Sequence, residues 1–96
     1  MTPLRVGIVG SRFAAGFHAD CYRRLDTAEV VAVAAIDNLE PFAAEWGIPD
    51  TYEDYRQMLA HADVDLVSVC LPNFLHGELA VAAAEAGKHV ICEKPL

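Results

Sequence analysis

The sequence predicts an α/β domain built on a doubly wound parallel sheet, and three observations carry that prediction. Short runs rich in β-branched residues alternate with stretches whose apolar residues recur at steps of three and four, the spacing of helices. The runs are apolar almost throughout instead of at every second residue, which marks strands covered on both faces. Glycine, proline and asparagine punctuate the points where a strand would hand over to a helix. A β-α alternation of this kind winds through right-handed crossovers, and the expected strand order is 3-2-1-4-5.

The first strand lies in Leu4 to Gly10, after which Phe13 to Leu25 places Phe13, Phe17, Cys21 and Leu25 at steps of four, an apolar stripe suited to lie on a sheet. Glu29 to Asp37 is the second strand, ending on an acid. Asn38 is a plausible N-cap for a helix carrying Leu39, Phe42, Ala43 and Trp46, with Gly47 as its stop. Ile48 to Tyr52 contains Pro49 and suits only a sheet edge. Asp54, Tyr55, Met58 and Leu59 suggest a short helix, and Val64 to Leu71 is a buried strand stopped by Pro72. Phe74 to Ala86 reads as a helix with Leu75, Leu79, Ala82, Ala83 and Ala86 inward and Gly87 as its end. Lys88 to Cys92 closes the series as a fifth strand.

Composition narrows the function classes. The 96 residues, at a net charge of −7, form one domain with no Lys/Arg cluster to track a nucleic-acid backbone or an anionic membrane. No apolar run reaches the roughly 18 residues of a membrane span, and Met1 leads directly into the first strand, so a cytoplasmic protein is expected. Cys21, Cys70 and Cys92 are widely spaced among apolar neighbours and read as buried thiols, not as a disulfide or metal set. The histidines His18, His61, His76 and His89 show no metal-ligand spacing and read as polar or packing residues, with His18 and His76 close to the turns of interest.

In such a sheet, ligands bind outside the carboxyl ends of the strands. Four groups fall there: the turn Gly10 to Gly16, Asp37, the Pro72-Asn73 pair, and Glu93, Lys94 and Pro95. A strand, tight turn and helix can hold a phosphate on backbone N–H groups. Asp37 can accept hydrogen bonds from a ribose diol and repel a 2′-phosphate, or else it is a solvated loop acid or cap. Asn73 can bond a ribose or amide, or cap the helix that follows. Lys94 is the candidate for proton or charge chemistry, since an ammonium beside a reacting carbonyl or hydroxyl stabilises an alkoxide; its plainer reading is a surface lysine.

Taken together, VGIVGSRFAAGFH, AAID and VDLVSVCLPNFLHGELAVAAAEAGKHVICEKPL resemble the amino-terminal Rossmann domain of the Gfo/Idh/MocA family of NAD(P)-dependent oxidoreductases. The resemblance covers the whole chain, residues 1–96. It implies a dinucleotide across Gly10, Ser11, Arg12, Phe13, Ala14 and Ala15, with Asp37 toward the adenosine ribose. It implies Leu71, Pro72, Asn73 and His76 on the nicotinamide side, and Glu93, Lys94 and Pro95 as the family's EKP motif with Lys94 catalytic. NAD is favoured over NADP, because Asn38 and not arginine follows Asp37. The implied reaction is hydride transfer to or from a sugar, cyclitol or related polyol.

Two departures from the family pattern stand out. Arg12 occupies the middle glycine of the G-x-G-x-x-G/A fingerprint, where its guanidinium would pair with a phosphate oxygen or its Cβ would push the phosphate outward. The chain also stops after the EKP motif, so the nucleotide-binding domain is expected to be incomplete at its C-terminal end, without a substrate domain and inactive alone. A homo-oligomer and a polyol substrate are then properties of a full-length member. The alternative is a non-catalytic dinucleotide-binding or interaction module that partners a separate substrate-domain chain.

Overall fold

A computed structural model describes residues 3–10, 13–70 and 76–92. Along the chain run β1 (Leu4–Val9), α1 (Phe13–Arg23), β2 (Ala28–Ala34), α2 (Leu39–Trp46), β3 (Asp50–Tyr52), α3 (Tyr55–His61), β4 (Leu66–Val69), α4 (His76–Glu85) and β5 (His89–Cys92). The strands form one parallel sheet in the order β3-β2-β1-β4-β5, the doubly wound order expected from the sequence. Its only described register irregularity separates Val6, opposite Val30, from Gly7, opposite Ala32.

The sheet is the partition between two cores. On one face, α1 and α2 cover Val6, Ile8, Val33 and Leu66 with Ala15, Ala19, Phe42 and Ala43. On the other, α3 and α4 cover Val9, Ala32, Val67 and Val69 with Met58, Leu59, Leu79 and Ala83. Alternate residues of each central strand thus enter opposite cores, which is why these strands lack a polar face.

Helix α1 departs from the reading of its stripe. Phe17 is 60% and Leu25 51% exposed, and Cys21 is also exposed. The sheet-facing side is Ala15 and Ala19, both buried, continued by Tyr22. Small residues let the helix axis approach the sheet closely. Phe17 and Cys21 sit two positions along from these alanines, about 200° around the helix, and face outward, while Leu25 lies past the helix end. The buried-thiol reading therefore fails for Cys21, while Cys70 is half-buried.

The other helix ends follow local chemistry. Asp54 caps α3, its side chain accepting from the Arg56 N–H at 2.8 Å. Gly47 ends α2 in the left-handed region at φ 66°, and its N–H bonds the Ala43 carbonyl. Asn38 stands at the N-cap of α2 without a side-chain cap bond, because its own backbone is left-handed at φ 54°. Side-chain caps usually depend on an extended backbone, which aims the oxygen at the first-turn N–H groups. Asn38 instead supplies its carbonyl, which accepts from the Phe42 N–H at 3.1 Å. In α4, Leu79 and Ala83 are buried as expected and Ala82 is half-buried, but Ala86 falls just past the helix end and is exposed.

Candidate functional site

Helices of an α/β layer run antiparallel to the strands, so the carboxyl edge of the sheet collects strand ends and helix starts. There β1 leaves the sheet at Gly10, whose N–H bonds the Ala34 carbonyl at 2.8 Å while the Cys70 N–H bonds the Val9 carbonyl at 2.9 Å. Gly10 has φ +122°, and a Cβ placed on it would lie 2.6 Å from the Cys70 carbonyl oxygen. Glycine is thus required twice here, by conformation and by the approach of β4.

Beyond Gly10, α1 begins at Phe13 and directs its N-terminal N–H groups, with their partial positive charge, to the carboxyl edge. Ala15 is fully buried between α1 and the sheet, which meets the fingerprint's need for a small residue at its last position. The glycine and the final small residue of a pyrophosphate cradle therefore fit a dinucleotide. Phe13 and Ala14 open α1 and His76 opens α4. Ser11, Arg12, Leu71, Pro72, Asn73, Glu93, Lys94 and Pro95 lie outside the described residues.

Strand β2 ends earlier than expected, at Ala34, and Asp37 lies three residues past it. The Ala35 N–H still bonds the Tyr52 carbonyl of β3 at 3.0 Å, after which the chain bends through Ile36, Asp37 and Asn38 into α2. Asp37 is exposed at the same edge as Gly10. Ile36 is 92% exposed, the most exposed large apolar residue described.

Ile36 also lines a cleft of about 190 Å³ on the α3/α4 side of this edge. Val9, Ala34 and Ala35 form its apolar floor, and Glu53, Tyr55, Arg56 and Glu78 its polar rim. The Tyr55 hydroxyl donates to Glu78 Oε1 at 2.8 Å, Arg56 pairs with Glu78, and the Arg56 guanidinium lies 4.8 Å from the Tyr55 ring centroid. Burial first, and then the bond to Glu78, raises the Tyr55 hydroxyl above its usual pKa. At this volume the cleft is below the roughly 300–1,000 Å³ of a whole small-ligand pocket and suits one ring of a larger molecule. A larger cleft of about 350 Å³, between Tyr22, Arg23, Trp46 and Gly47, opens beside the first residues of β2. It lies at the amino edge, where no strand end delivers a candidate residue.

The sequence reading missed two features. Ser68, fully buried on β4, hydrogen-bonds His18 Nδ1 and accepts from the Tyr22 hydroxyl at 3.2 Å, tying α1 to the sheet. The Arg56–Glu78 pair joins the first turns of α3 and α4. In both cases the partners are far apart in sequence. A small hydroxyl within VDLVSVCL was the available signal for the first. Among the described residues no cluster of His, Cys, Asp or Glu could hold a metal ion.

The family profile described as "Oxidoreductase family, NAD-binding Rossmann fold" matches residues 4–96. The chain belongs to this Gfo/Idh/MocA family. Levoglucosan dehydrogenase of Pseudarthrobacter phenanthrenivorans is 36% identical over all of the chain and 27% of its own length. D-xylose 1-dehydrogenase (NADP(+)) 2 of Haloferax volcanii is 44% identical over 71% of the chain and 22% of its own length. Scyllo-inositol dehydrogenase from Lactobacillus casei, solved with NAD(H) and scyllo-inositol, superposes at a TM-score of 0.92 with 31% identity, covering 98% of the chain and 28% of that structure. This Gfo/Idh/MocA domain thus spans under a third of the length of the relatives it matches. No helix among the described residues is long and apolar enough to cross a membrane.

Proposed function

We propose that this chain is the dinucleotide-binding part of an NAD-dependent dehydrogenase acting on a sugar, cyclitol or related polyol. The observation that carries the reading is convergence at one edge: the glycine-only turn at Gly10, the start of α1, the exposed Asp37 and the cleft behind Ile36. The turn Gly10 to Ala15 would hold the pyrophosphate, Asp37 the adenosine ribose, and the apolar floor of the cleft the adenine. Leu71, Pro72, Asn73 and His76 would line the nicotinamide side.

The nicotinamide supplies the hydride chemistry when bound. Lys94, in the EKP motif with Glu93 and Pro95, would place an ammonium at the reacting oxygen and stabilise alkoxide character there. The substrate class is supported by the names of the relatives, which include a levoglucosan, a xylose and a scyllo-inositol dehydrogenase. NAD is preferred to NADP in this proposal because Asp37 accepts from a ribose diol and repels a 2′-phosphate. Isothermal titration of the chain tests the cofactor reading. NAD is expected to bind at millimolar concentration or below, and absence of heat for both NAD and NADP in that range would overturn it.

A further inference from the structure

The rim of the cleft carries more negative than positive charge, and its one described cation is already engaged. Arg56 pairs through Nη2 with Glu78, and its Nη1 lies 3.8 Å from Asp54 Oδ1. Glu78 Oε1 is a shared acceptor, taking the Tyr55 hydroxyl as well. Glu53 lines the same cleft, and Asp37 follows the lining residue Ile36. The side chains of Arg56 and Glu78 are 61% and 56% exposed, so their pairing is a solvated contact that a competing anion can displace.

We propose that Glu78 is a specificity-determining residue: by engaging Arg56 across the cleft, it withholds the guanidinium that would otherwise accept a 2′-phosphate. The proposal rests on the adenine occupying this cleft. The proposal places the base on Val9, Ala34 and Ala35, the ribose at Asp37, and the 2′ position toward the Arg56–Glu78 pair on the rim of the same cleft. A 2′-hydroxyl there meets carboxylate acceptors. A 2′-phosphate meets Asp37, Glu53 and Glu78, and must break the Arg56–Glu78 pair to gain a counter-charge. Neutralising Glu78 reverses that balance, because a free guanidinium is a bidentate partner for phosphate oxygens.

The test is parallel titration of NAD and NADP into the unaltered chain, Glu78→Gln, and Glu78→Gln with Arg56→Gln. The ratio of NADP to NAD affinity is expected to rise about fivefold in Glu78→Gln, the scale of one solvent-exposed ion pair, and to shrink in high salt. Removing Arg56 in that background is expected to return the ratio to its starting value. Thermal melts by circular dichroism establish that each variant is folded, as expected for substitutions of exposed side chains. If NAD binds but Glu78→Gln leaves the ratio unchanged, or the gain survives loss of Arg56, the assignment of Glu78 is wrong while the cofactor reading stands. If neither dinucleotide binds the unaltered chain, both fall.

Discussion

The two edges of the sheet use charge in opposite ways. At the amino edge, Arg5 is saturated from within: its side chain pairs with Asp63 and Asp65, and its backbone N–H donates to Asp65 Oδ2 at 3.0 Å. Asp65 in turn donates its N–H to the Arg5 carbonyl at 2.8 Å, and its own carbonyl accepts from the His89 N–H at 3.1 Å. These bonds tie the starts of β1, β4 and β5 together. At the carboxyl edge, β1 leaves the sheet at Gly10, β2 ends at Ala34 with the exposed Asp37 three residues beyond, and α1 begins just past Gly10. The difference shows how one sheet separates closure from binding. One edge spends its charges on joining strands, and the other leaves backbone groups and side chains directed outward.

The largest effect is expected where the carboxyl edge leaves no freedom. Gly10→Ala must place a Cβ 2.6 Å from the Cys70 carbonyl at φ +122°, and should cost on the order of 3 kcal/mol in chemical denaturation. It should also weaken NAD binding. Gly47→Ala is the control, with φ +66° and nothing within 4 Å of the added atom, at a cost of about 1 kcal/mol. Equal costs for the two would mean that the approach of β4 to the turn is not a constraint.

A smaller loss is expected at the tie between α1 and the sheet. Ser68→Ala removes the group that joins His18 and Tyr22 and should cost about 1–2 kcal/mol, read as a lower denaturation midpoint. A silent substitution would show that the small residues Ala15 and Ala19 alone hold α1 in place.

The smallest effect belongs to the amino edge and depends on pH. The Arg5 N–H bond, followed by the Arg5 side chain, holds the Asp65 carboxyl below its usual pKa. A carboxylate with a depressed folded pKa stabilises above its unfolded value and loses that contribution as pH falls through the folded one. The thermal midpoint should therefore fall as pH drops below about 4, and Asp65→Asn should flatten that slope. A slope unchanged in the variant would remove Asp65 from the acid sensitivity.

The sequence was most legible where local pattern and tertiary structure agree. The strand order, the Gly47 stop, and the inward Met58, Leu59, Leu79 and Ala83 all follow from runs and spacings. It misled where a stronger pattern competed. The bulky stripe Phe17, Cys21 and Leu25 outweighs the alanines that actually meet the sheet, because apolar bulk dominates the spacing pattern while small residues decide how closely the helix packs. Asn38 has the right identity for a cap and the wrong backbone, a geometry set by the bend after Ala35. Ser68 with His18, and Arg56 with Glu78, were illegible because each pairing joins separate elements. For the site, the need for glycine at Gly10 was legible from its place at the end of β1, Asp37 was expected to end β2 but lies three residues past it, and the cleft behind Ile36 exists only once β1, β2, α3 and α4 are assembled.

The contrast between the edges is tested most directly by following backbone amide resonances of the chain during titration with NAD. Chemical-shift changes are predicted at Gly10, Ala35, Ile36, Asp37 and Tyr55 on the carboxyl edge, with Arg5, Asp63, Asp65 and His89 on the amino edge unmoved. Shifts centred on the amino edge, or none anywhere at millimolar NAD, would contradict the account.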